Sequence, residues 1–504
     1  MSSEEAKVTR RDYLKVVGGT VAGLVIGGVV GYLAKASQVV ERTVTTTVTT
    51  TVTTGVPTTP TTPTTPTTPT TPTTPTVVKT VRYLGHPFWL PEDAIKEFER
   101  THPGVKIDYS YVDFYVVAQK QIADPASYDV GGIGRFRPHI IMKIPKAIPI
   151  EKTPRVNENY LADVLIHPER FWSEAVANRF KELFWAEEGK AVWIVPNMMG
   201  WEDRTYLPEF IPYEELGNEP SIPWDEFFNP EWKGRVATID EGFDGFSRVA
   251  NYLDYHKKMT FSGSVSNLTK EEVDAVYEWL LPIIKSGQIK CFWSKYGDIV
   301  AMMSSREIWQ AVTWVPVSLD CRAAGVPAFH ALPPEGPCYW WNGSFLSKYM
   351  NPDVYEESIM LANYHLELTI AKCYAKQLYI NCGYKMPELK KAMGDEFYEW
   401  FHNGKPTYEP IEECTKICWP DNPDFWELEP KLQKALFLPT KYFEFFWTGA
   451  PPRTGKPHPR GKIRDMGSID AKQKYTRWFL SPDLPDNNDY YVEKWEALKA
   501  QLPA

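Results

Sequence analysis

The chain has 504 residues and a formal net charge of −9 at pH 7. This acidic balance argues against a nucleic-acid partner, because binding to a phosphate backbone needs clustered lysines and arginines. Hydrophobic residues make up 43% of the chain and aromatic residues 14%, including 19 tryptophans. That is enough apolar material for a large core, and it leaves aromatic side chains over for a binding surface.

Residues 1–36 are predicted to be an export signal. Thr9-Arg10-Arg11-Asp12-Tyr13-Leu14-Lys15 carries the paired arginines, aromatic residue and leucine of a twin-arginine signal. The uncharged apolar run Val16 to Ala34 follows, and it is long enough to cross a bilayer as a helix. Ala34-Lys35-Ala36 offers a cleavage site. Cleavage and retention as a membrane anchor both stay open, and we favour the anchor because a long stalk needs a tether.

Residues 37–78 are predicted to form a threonine- and proline-rich stalk. A proline at every third position matches the three-residue turn of polyproline II. A plain disordered linker is the alternative, and the two differ in stiffness. The prolines are Pro57, Pro60, Pro63, Pro66, Pro69, Pro72 and Pro75.

The part of the chain after the stalk alternates strand and helix signals. Val77 to Leu84 and Val105 to Tyr111 alternate as strands, and Pro91 opens a helix between them. This βαβ pattern predicts an α/β fold with a largely parallel sheet. Farther on, Thr269 and Glu272 predict a capping box at the start of an amphipathic helix.

Several stretches between residues 79 and 400 follow one pattern in order and spacing. They are Tyr83-Leu84-Gly85-His86 leading to Pro103-Gly104-Val105, Tyr128-Asp129-Val130, Ala191 to Pro196, Phe228 to Ala237, and Pro333-Pro334-Glu335-Gly336 with Trp340-Trp341. Together they resemble the periplasmic solute-binding proteins of the spermidine/putrescine type, a branch of the type II periplasmic-binding-protein fold. The resemblance implies two α/β lobes that close about a hinge onto a ligand.

The same resemblance implies the domain boundaries of the body, residues 79–504. Lobe 1 is expected at about 79–200 and 332–400, and lobe 2 at about 201–331. Residues 401–504 are expected to form a C-terminal extension, with one helix from Tyr490 to Leu502. The resemblance does not assign this extension to either lobe.

Nine residues are expected to hold the ligand, because the family binds it at the carboxyl ends of strands. Aromatic rings beside acids suit an ammonium group, although the rings alone equally suit a sugar face. For the aromatics the alternative is a place in the core, and for the acids it is a helix cap. The nine are His86, Trp89, Arg135, Phe136, Glu241, Asp244, Trp314, Trp340 and Asn342.

Two features leave the ligand class broad. Where polyamine binders of this family carry an aspartate after the site tryptophans, this chain has Asn342, which supplies no charge. Arg135 and Arg137 lie in a loop beginning Gly131-Gly132, where guanidinium groups would attract a carboxylate or phosphonate unless they are simply solvated. The expected ligand is therefore a small polar organic solute, polyamine-like or related.

The sequence does not favour an enzyme. It contains no H-E-x-x-H pair, no P-loop and no G-x-S-x-G, and Gly132-Ile133-Gly134 lacks the third glycine of a dinucleotide fingerprint. Seven cysteines without zinc-site spacing predict at least one free thiol, and Cys414 and Cys418 are able to pair in an oxidising compartment. We expect no metal and no cofactor.

The expected function is that of an extracytoplasmic, monomeric receptor of an ABC importer, which delivers its solute to a membrane permease. Two alternatives stay open. One is a secreted polymer-binding hydrolase, which would need paired catalytic carboxylates or a metal cluster. The other is a stalked structural protein of the cell surface, which would not change shape with a small molecule.

Overall fold

A computed structural model describes residues 78–404 and 468–503, except residues 157, 158, 213, 217, 218, 376–378 and 482. The twin-arginine segment, the stalk and the Cys414/Cys418 pair lie outside the described residues. Cys291, Cys321, Cys338, Cys373 and Cys382 are free thiols. Within the described ranges, no helix is long and apolar enough to cross a bilayer.

Eighteen strands lie in the described residues and form four sheets. In chain order the strands are β1 (Lys79–Gly85), β2 (Val105–Tyr111), β3 (Val130–Ile133), β4 (Pro145–Lys146), β5 (Ile148–Pro149), β6 (Trp185–Glu187), β7 (Ala191–Val192), β8 (Val195–Glu202), β9 (Arg204–Tyr206), β10 (Glu214–Leu216), β11 (Glu219–Ser221), β12 (Val236–Ile239), β13 (Ile289–Trp293), β14 (Gln310–Val312), β15 (Phe329–His330), β16 (Cys338–Ser347), β17 (Ile380–Asn381) and β18 (Trp478–Ser481).

Sixteen α-helices lie in the same ranges. In chain order they are Glu92–Thr101, Phe114–Ala123, Arg137–Ile141, Asp163–Ile166, Glu174–Phe184, Asp225–Phe228, Gly242–Tyr255, Lys270–Lys285, Tyr296–Ser304, Pro316–Ala323, Tyr355–Tyr364, Leu368–Ala375, Pro387–Met393, Asp395–Asn403, Ile469–Tyr475 and Asn488–Lys499.

The first large sheet has the order β17-β8-β16-β3-β1-β2, and β4 and β18 also pair with β16. β1 is parallel to both β2 and β3, whereas β16 is antiparallel to β3 and β8. Every residue of β8 and β16 is buried, as expected for central strands that are covered on both faces. The chain crosses from β1 to β2 on one side and then returns past β1 to β3 on the other, so the strand order reverses at β1 and β3, and a crevice opens at the carboxyl ends of these strands.

The second large sheet has the order β13-β12-β14-β9-β15. Here β12 is parallel to both of its neighbours, so the same kind of crevice opens beside its carboxyl end. The chain enters this sheet from the first one through Asp203, between β8 and β9, and returns between His330 and Cys338. Two separate α/β sheets joined by crossing segments confirm the predicted two-lobed fold.

The C-terminal residues belong to both lobes. β18 pairs in parallel with β16 of the first sheet, and the helix Asn488–Lys499 packs against the helices Gly242–Tyr255 and Lys270–Lys285 of the second lobe. The helix predicted from Tyr490 to Leu502 is present as Asn488–Lys499, so it begins two residues earlier and ends three residues earlier than predicted. Its setting differs from that of an appended extension, because the segment 468–503 completes a sheet in one lobe and covers helices in the other.

The ends of the helix Lys270–Lys285 follow from local sequence signals. The Oγ1 of Thr269 accepts a hydrogen bond from the N–H of Glu272 at 3.2 Å, and Glu272 Oε2 accepts one from the N–H of Thr269 at 2.8 Å. This is the predicted capping box, and it begins the helix Lys270–Lys285. Gly287, two residues beyond the helix, has a φ of +77°, a conformation that favours glycine at helix ends.

Candidate ligand-binding site

One cavity lies between the two lobes and spans about 600 Å³, open solvent at its mouth included. Its walls come from residues that follow strands: His86 follows β1, Arg135 follows β3, Glu241 follows β12 and Trp314 follows β14. The cavity therefore joins the crevices of the two sheets, the position where open α/β sheets bind ligands.

The structure brings eight of the nine predicted residues together in this cavity: His86, Trp89, Arg135, Glu241, Asp244, Trp314, Trp340 and Asn342. Phe136 lies elsewhere. It is fully buried, and its ring stacks on His139 and packs against Phe345. The family pattern located the loop after β3 correctly, but in this loop Arg135 turns toward the cavity while Phe136 turns into the core. Ligand binding by the eight residues stays a prediction.

Aromatic rings from both lobes meet at the cavity. The Phe114 ring of the first lobe lies 5.7 Å from that of Trp89 and 5.9 Å, across the cleft, from that of Trp314 (centroid distances). Trp340 meets Tyr379 edge to face at 4.8 Å. Burial lowers the pKa of His86 to about 4, so its imidazole is neutral at pH 7. The wall is thus aromatic and uncharged over much of its area.

Arg135 links the lobes. Its guanidinium forms an ion pair with Glu241 of the second lobe, and Nη1 donates to the carbonyl oxygen of Leu480 at 3.0 Å. It also lies 5.3 Å from the ring centroid of Phe243 and 5.9 Å from that of Phe114. Burial raises the pKa of Glu241, and the nearby Arg135 opposes that rise. The arginine is therefore engaged by protein groups on both sides of the cleft.

A second arginine is held in the same way. Asp244 and Arg248 lie four residues apart on the helix Gly242–Tyr255, a spacing that places both on one face. Arg248 Nε donates to both carboxylate oxygens of Asp244 at 2.9 Å, and Nη1 donates to the carbonyl oxygen of Glu202 at 3.1 Å. Both side chains are almost completely buried. The pair therefore supplies two opposite charges that neutralise each other.

Glu202 is a cavity residue that the sequence analysis missed. It ends β8, its side chain is buried, and Oε1 accepts a hydrogen bond from the Tyr379 hydroxyl at 2.9 Å. Burial raises the pKa of Glu202 to about 8, against the opposing effects of Tyr379 and Arg248. A signal was present in the sequence, because Glu202 is the one acidic residue in Val195–Glu202, a strand otherwise free of charge.

The other cavity residues that the sequence analysis did not name come mostly from segments outside the family pattern. They are Phe88, Phe114, Met198, Ile239, Arg248, Val312, Thr313, Tyr379 and Leu480.

Asn342 holds a neighbouring ring in place. With its amide oriented to suit both neighbours, the oxygen accepts a hydrogen bond from Trp89 Nε1 at 2.9 Å and the nitrogen donates to the carbonyl oxygen of Trp341 at 3.1 Å. An aspartate would also accept from Trp89 but has no N–H to donate to Trp341. The amide therefore fits a tryptophan-positioning role that does not depend on charge.

Outside the cavity, Asp225, His256 and Glu335 bring potential metal-ligand atoms within 4.8 Å of one another. His256 Nε2 already lies 2.8 Å from Glu335 Oε1, and Asp225 Oδ1 accepts from the Tyr252 hydroxyl at 2.6 Å. These contacts make the group an internal hydrogen-bond network between the helix Gly242–Tyr255 and the segment that returns to β16.

No family model and no curated protein matches this sequence. Solved structures do match. A "Putative spermidine/putrescine ABC transporter" from Listeria monocytogenes is 15% identical, with a TM-score of 0.49 over 83% of this chain and 98% of that one. The spermidine/putrescine substrate-binding protein PotD from Streptococcus pneumoniae is 13% identical, with a TM-score of 0.45 over 64% and 87%.

A third structure is the periplasmic binding protein AgtB from A. tumefaciens in complex with agropinic acid. It is 13% identical to this chain, with a TM-score of 0.44 over 84% of this chain and 96% of that one. What these proteins bind is a property of each of them. The function of this chain is therefore inferred from its own sheets and cavity.

Proposed function

We propose that this chain is the extracytoplasmic substrate-binding component of an ABC importer. It captures a small polar organic solute between its two lobes and delivers it to a membrane permease. The supporting observation is the cavity itself, which joins the carboxyl-end crevices of both sheets and is lined by aromatic rings and charged groups from both lobes.

In the proposed cycle, the solute enters when the lobes are apart and is enclosed when they close. The segments through Asp203 and from residue 331 to 337, where the chain crosses between the sheets, are the places for a hinge. The aromatic rings take the apolar part of the solute, and the polar side chains fix its orientation. The solute leaves chemically unchanged, because the chain only binds and releases it. The receptor acts as a monomer.

The N-terminal segments set the location of this activity. Residues 1–36 direct export through the twin-arginine pathway and, if retained, anchor the chain in the membrane. The stalk of residues 37–78 then holds the lobes away from the bilayer but close to the permease. Among solutes, compounds with an ammonium group fit best, because rings beside carboxylates favour cations.

A thermal-shift screen of the protein against amines, amino acids, oligosaccharides and phosphonates tests this function. A solute at a hundredfold excess over its dissociation constant stabilises the folded state by about 2.7 kcal/mol. Solutes that raise the melting temperature are then expected to reduce the radius of gyration in small-angle X-ray scattering, because the lobes close.

Trp314→Ala should weaken binding of such a solute at least tenfold. Trp309→Ala is the matched control: Trp309 is another half-buried tryptophan of the second lobe, stacked on Phe210 with ring centroids 4.4 Å apart and outside the cavity. Equal loss of binding in both variants, or turnover of a polymer with no solute bound, would contradict the proposal.

A further inference from the structure

The charges of the cavity are mostly cancelled within the protein. Its lining contains three carboxyl groups and two guanidinium groups. Arg135 pairs with Glu241, and Arg248 pairs with Asp244. One carboxyl group, that of Glu202, is left over in the described part of the lining, so the cavity has room to balance one positive charge of a ligand.

Glu202 has the geometry for that role. Its carboxyl accepts a hydrogen bond from the Tyr379 hydroxyl at 2.9 Å. A carboxylate offers about four acceptor sites, so capacity remains for a ligand N–H or for contact with a quaternary ammonium. Tyr379, which holds the carboxyl, also packs edge to face on Trp340, and the carboxyl therefore lies beside the aromatic wall.

We propose that Glu202 receives the charge of the ligand, and that the cavity selects an organic monocation, an ammonium compound with one positive charge, over diamines and polyamines. This inference deepens the proposed function and rests on it. A second ammonium group would find no carboxylate of its own among the described lining residues, and burial of an unpaired charge is costly. A zwitterion is disfavoured for the opposite reason, because both cavity arginines are already paired.

The aromatic rings supply the rest of the recognition. A cation within about 6 Å of a ring centroid is attracted by the ring, and the attraction is stronger when the cation is desolvated. Trp89, Trp314 and Trp340 all line the cavity and are largely shielded from solvent. Rings on several sides suit a compact ammonium head group, and they exclude the water that would otherwise compete for it.

Capture of a monocation is coupled to a proton. Burial raises the pKa of Glu202 to about 8, so below pH 8 the empty site holds a proton that the bound cation must displace. The affinity for the cation therefore rises with pH up to about 8 and then levels off.

Three other titratable groups near Glu202 do not produce this dependence. Burial lowers the pKa of His86 to about 4 and raises those of Tyr379 and Cys338, so these three stay neutral from pH 6 to 9. The remaining charged groups that face Glu202 are Arg248 and its partner Asp244, with Asp203 next to it in the chain and the Arg135–Glu241 pair across the cavity.

Isothermal titration calorimetry of the full chain with choline, putrescine, spermidine and glycine betaine tests the inference. Choline should bind best, and its affinity should rise on the order of a hundredfold between pH 6 and pH 9. At pH 7, titrations in buffers with different ionisation enthalpies should show release of nearly one proton per choline bound. This measurement on the unaltered protein does not depend on the folding of any variant.

Variants separate Glu202 from the other acids. Glu202→Gln should remove the pH dependence and should bind the neutral isostere 3,3-dimethylbutanol at least as well as choline. Tyr379→Phe should move the midpoint of the pH dependence upward, because the hydroxyl favours the ionised carboxyl. Glu209→Gln is the matched control, since Glu209 pairs with Arg306 away from the cavity and should behave as the unaltered protein.

The outcomes are distinguishable. Tighter binding of putrescine, spermidine or glycine betaine than of choline, or choline binding that is independent of pH, would overturn this inference while the importer function stood. If no solute of any class binds in the thermal-shift screen, the proposed function falls, and this inference falls with it.

Discussion

At the scale of single residues, buried charge is tolerated where hydrogen bonds surround it. Asp129, fully buried in the middle of the Tyr128-Asp129-Val130 stretch, accepts hydrogen bonds from the N–H of Arg82 at 2.9 Å, from Arg82 Nε at 3.1 Å and Nη2 at 2.7 Å, and from the N–H of Asn351 at 2.9 Å. Burial alone would raise the pKa of Asp129, but the bonds from Arg82 and Asn351 outweigh it and hold the pKa below its usual value. One carboxylate thus ties β1 to β3 and to the turn after β16.

Asp129→Asn should lower the free energy of unfolding by about 1–3 kcal/mol at pH 7, because a neutral amide replaces a charged acceptor of four hydrogen bonds. The folded-state pKa is depressed, so the stabilisation is present above the unfolded-state value of about 3.9 and is lost as the pH falls through the folded-state value. The difference between variant and unaltered protein should therefore shrink below pH 4. Urea denaturation at pH 7 and pH 3 measures both quantities.

Asp108→Asn is the control for this experiment, because Asp108 is exposed on β2. Its substitution should change the free energy of unfolding by less than about 0.5 kcal/mol. A constant deficit of Asp129→Asn at both pH values would indicate a packing defect, and the electrostatic account would be wrong.

At the scale of elements, the C-terminal helix Asn488–Lys499 is locked onto the second lobe. Trp495 Nε1 donates to Asp240 Oδ1 at 3.0 Å, and its ring lies over Gly245 of the helix Gly242–Tyr255. A Cβ at Gly245 would fall 2.1 Å from the ring. The absence of a side chain at Gly245 therefore allows the close approach of two helices that are far apart in the sequence.

Gly245→Ala should reduce the free energy of unfolding by about 1–3 kcal/mol, because the methyl group overpacks the contact with Trp495. Gly297→Ala in the helix Tyr296–Ser304 is the matched control, since a Cβ there meets nothing within 4 Å. The control should be neutral or stabilising by up to about 1 kcal/mol, the helix-propensity difference between the two residues. Urea denaturation compares them, and equal effects would contradict the predicted contact.

At the scale of the whole molecule, the lobes are connected by more than the two crossings that the family pattern implies. The segment from β18 to the helix Asn488–Lys499 forms a third crossing beside the cavity, where the Leu480 carbonyl accepts from Arg135. The Arg135–Glu241 ion pair adds a side-chain link across the cleft. Together these contacts favour the closed arrangement of the lobes.

Glu241→Gln should shift the ligand-free protein toward an open arrangement, because it removes the carboxylate that Arg135 contacts across the cleft, and loss of one partner of a buried ion pair is strongly unfavourable. Small-angle X-ray scattering should then give a larger radius of gyration than for the unaltered protein. Glu356→Gln serves as the control, since Glu356 pairs with Lys152 within the first lobe. An unchanged radius for Glu241→Gln would show that the ion pair does not hold the lobes together.

Features that depend on short-range patterns could be predicted from the sequence alone. The βαβ opening, the capping box of Thr269 and Glu272 and the C-terminal helix each follow from side-chain periodicity or backbone preference within a few residues. The family pattern added the two lobes and the loops that face the cleft, because carboxyl ends of strands gather at one edge of a sheet. Eight residues of the cavity lining could be predicted in this way.

The other features of the site and of the C-terminal segment depend on contacts between residues far apart in the chain, so they could be seen only in the folded structure. Arg135 and Phe136 are neighbours, yet one turns toward the cavity and the other into the core, which loop residues do not reveal by pattern. Glu202 becomes a cavity acid because Tyr379, 177 positions away, and Arg248 are brought to it by folding. In the same way, β18 and the helix after it contact both lobes through long-range strand pairing and helix packing. Local sequence patterns do not show which elements they contact.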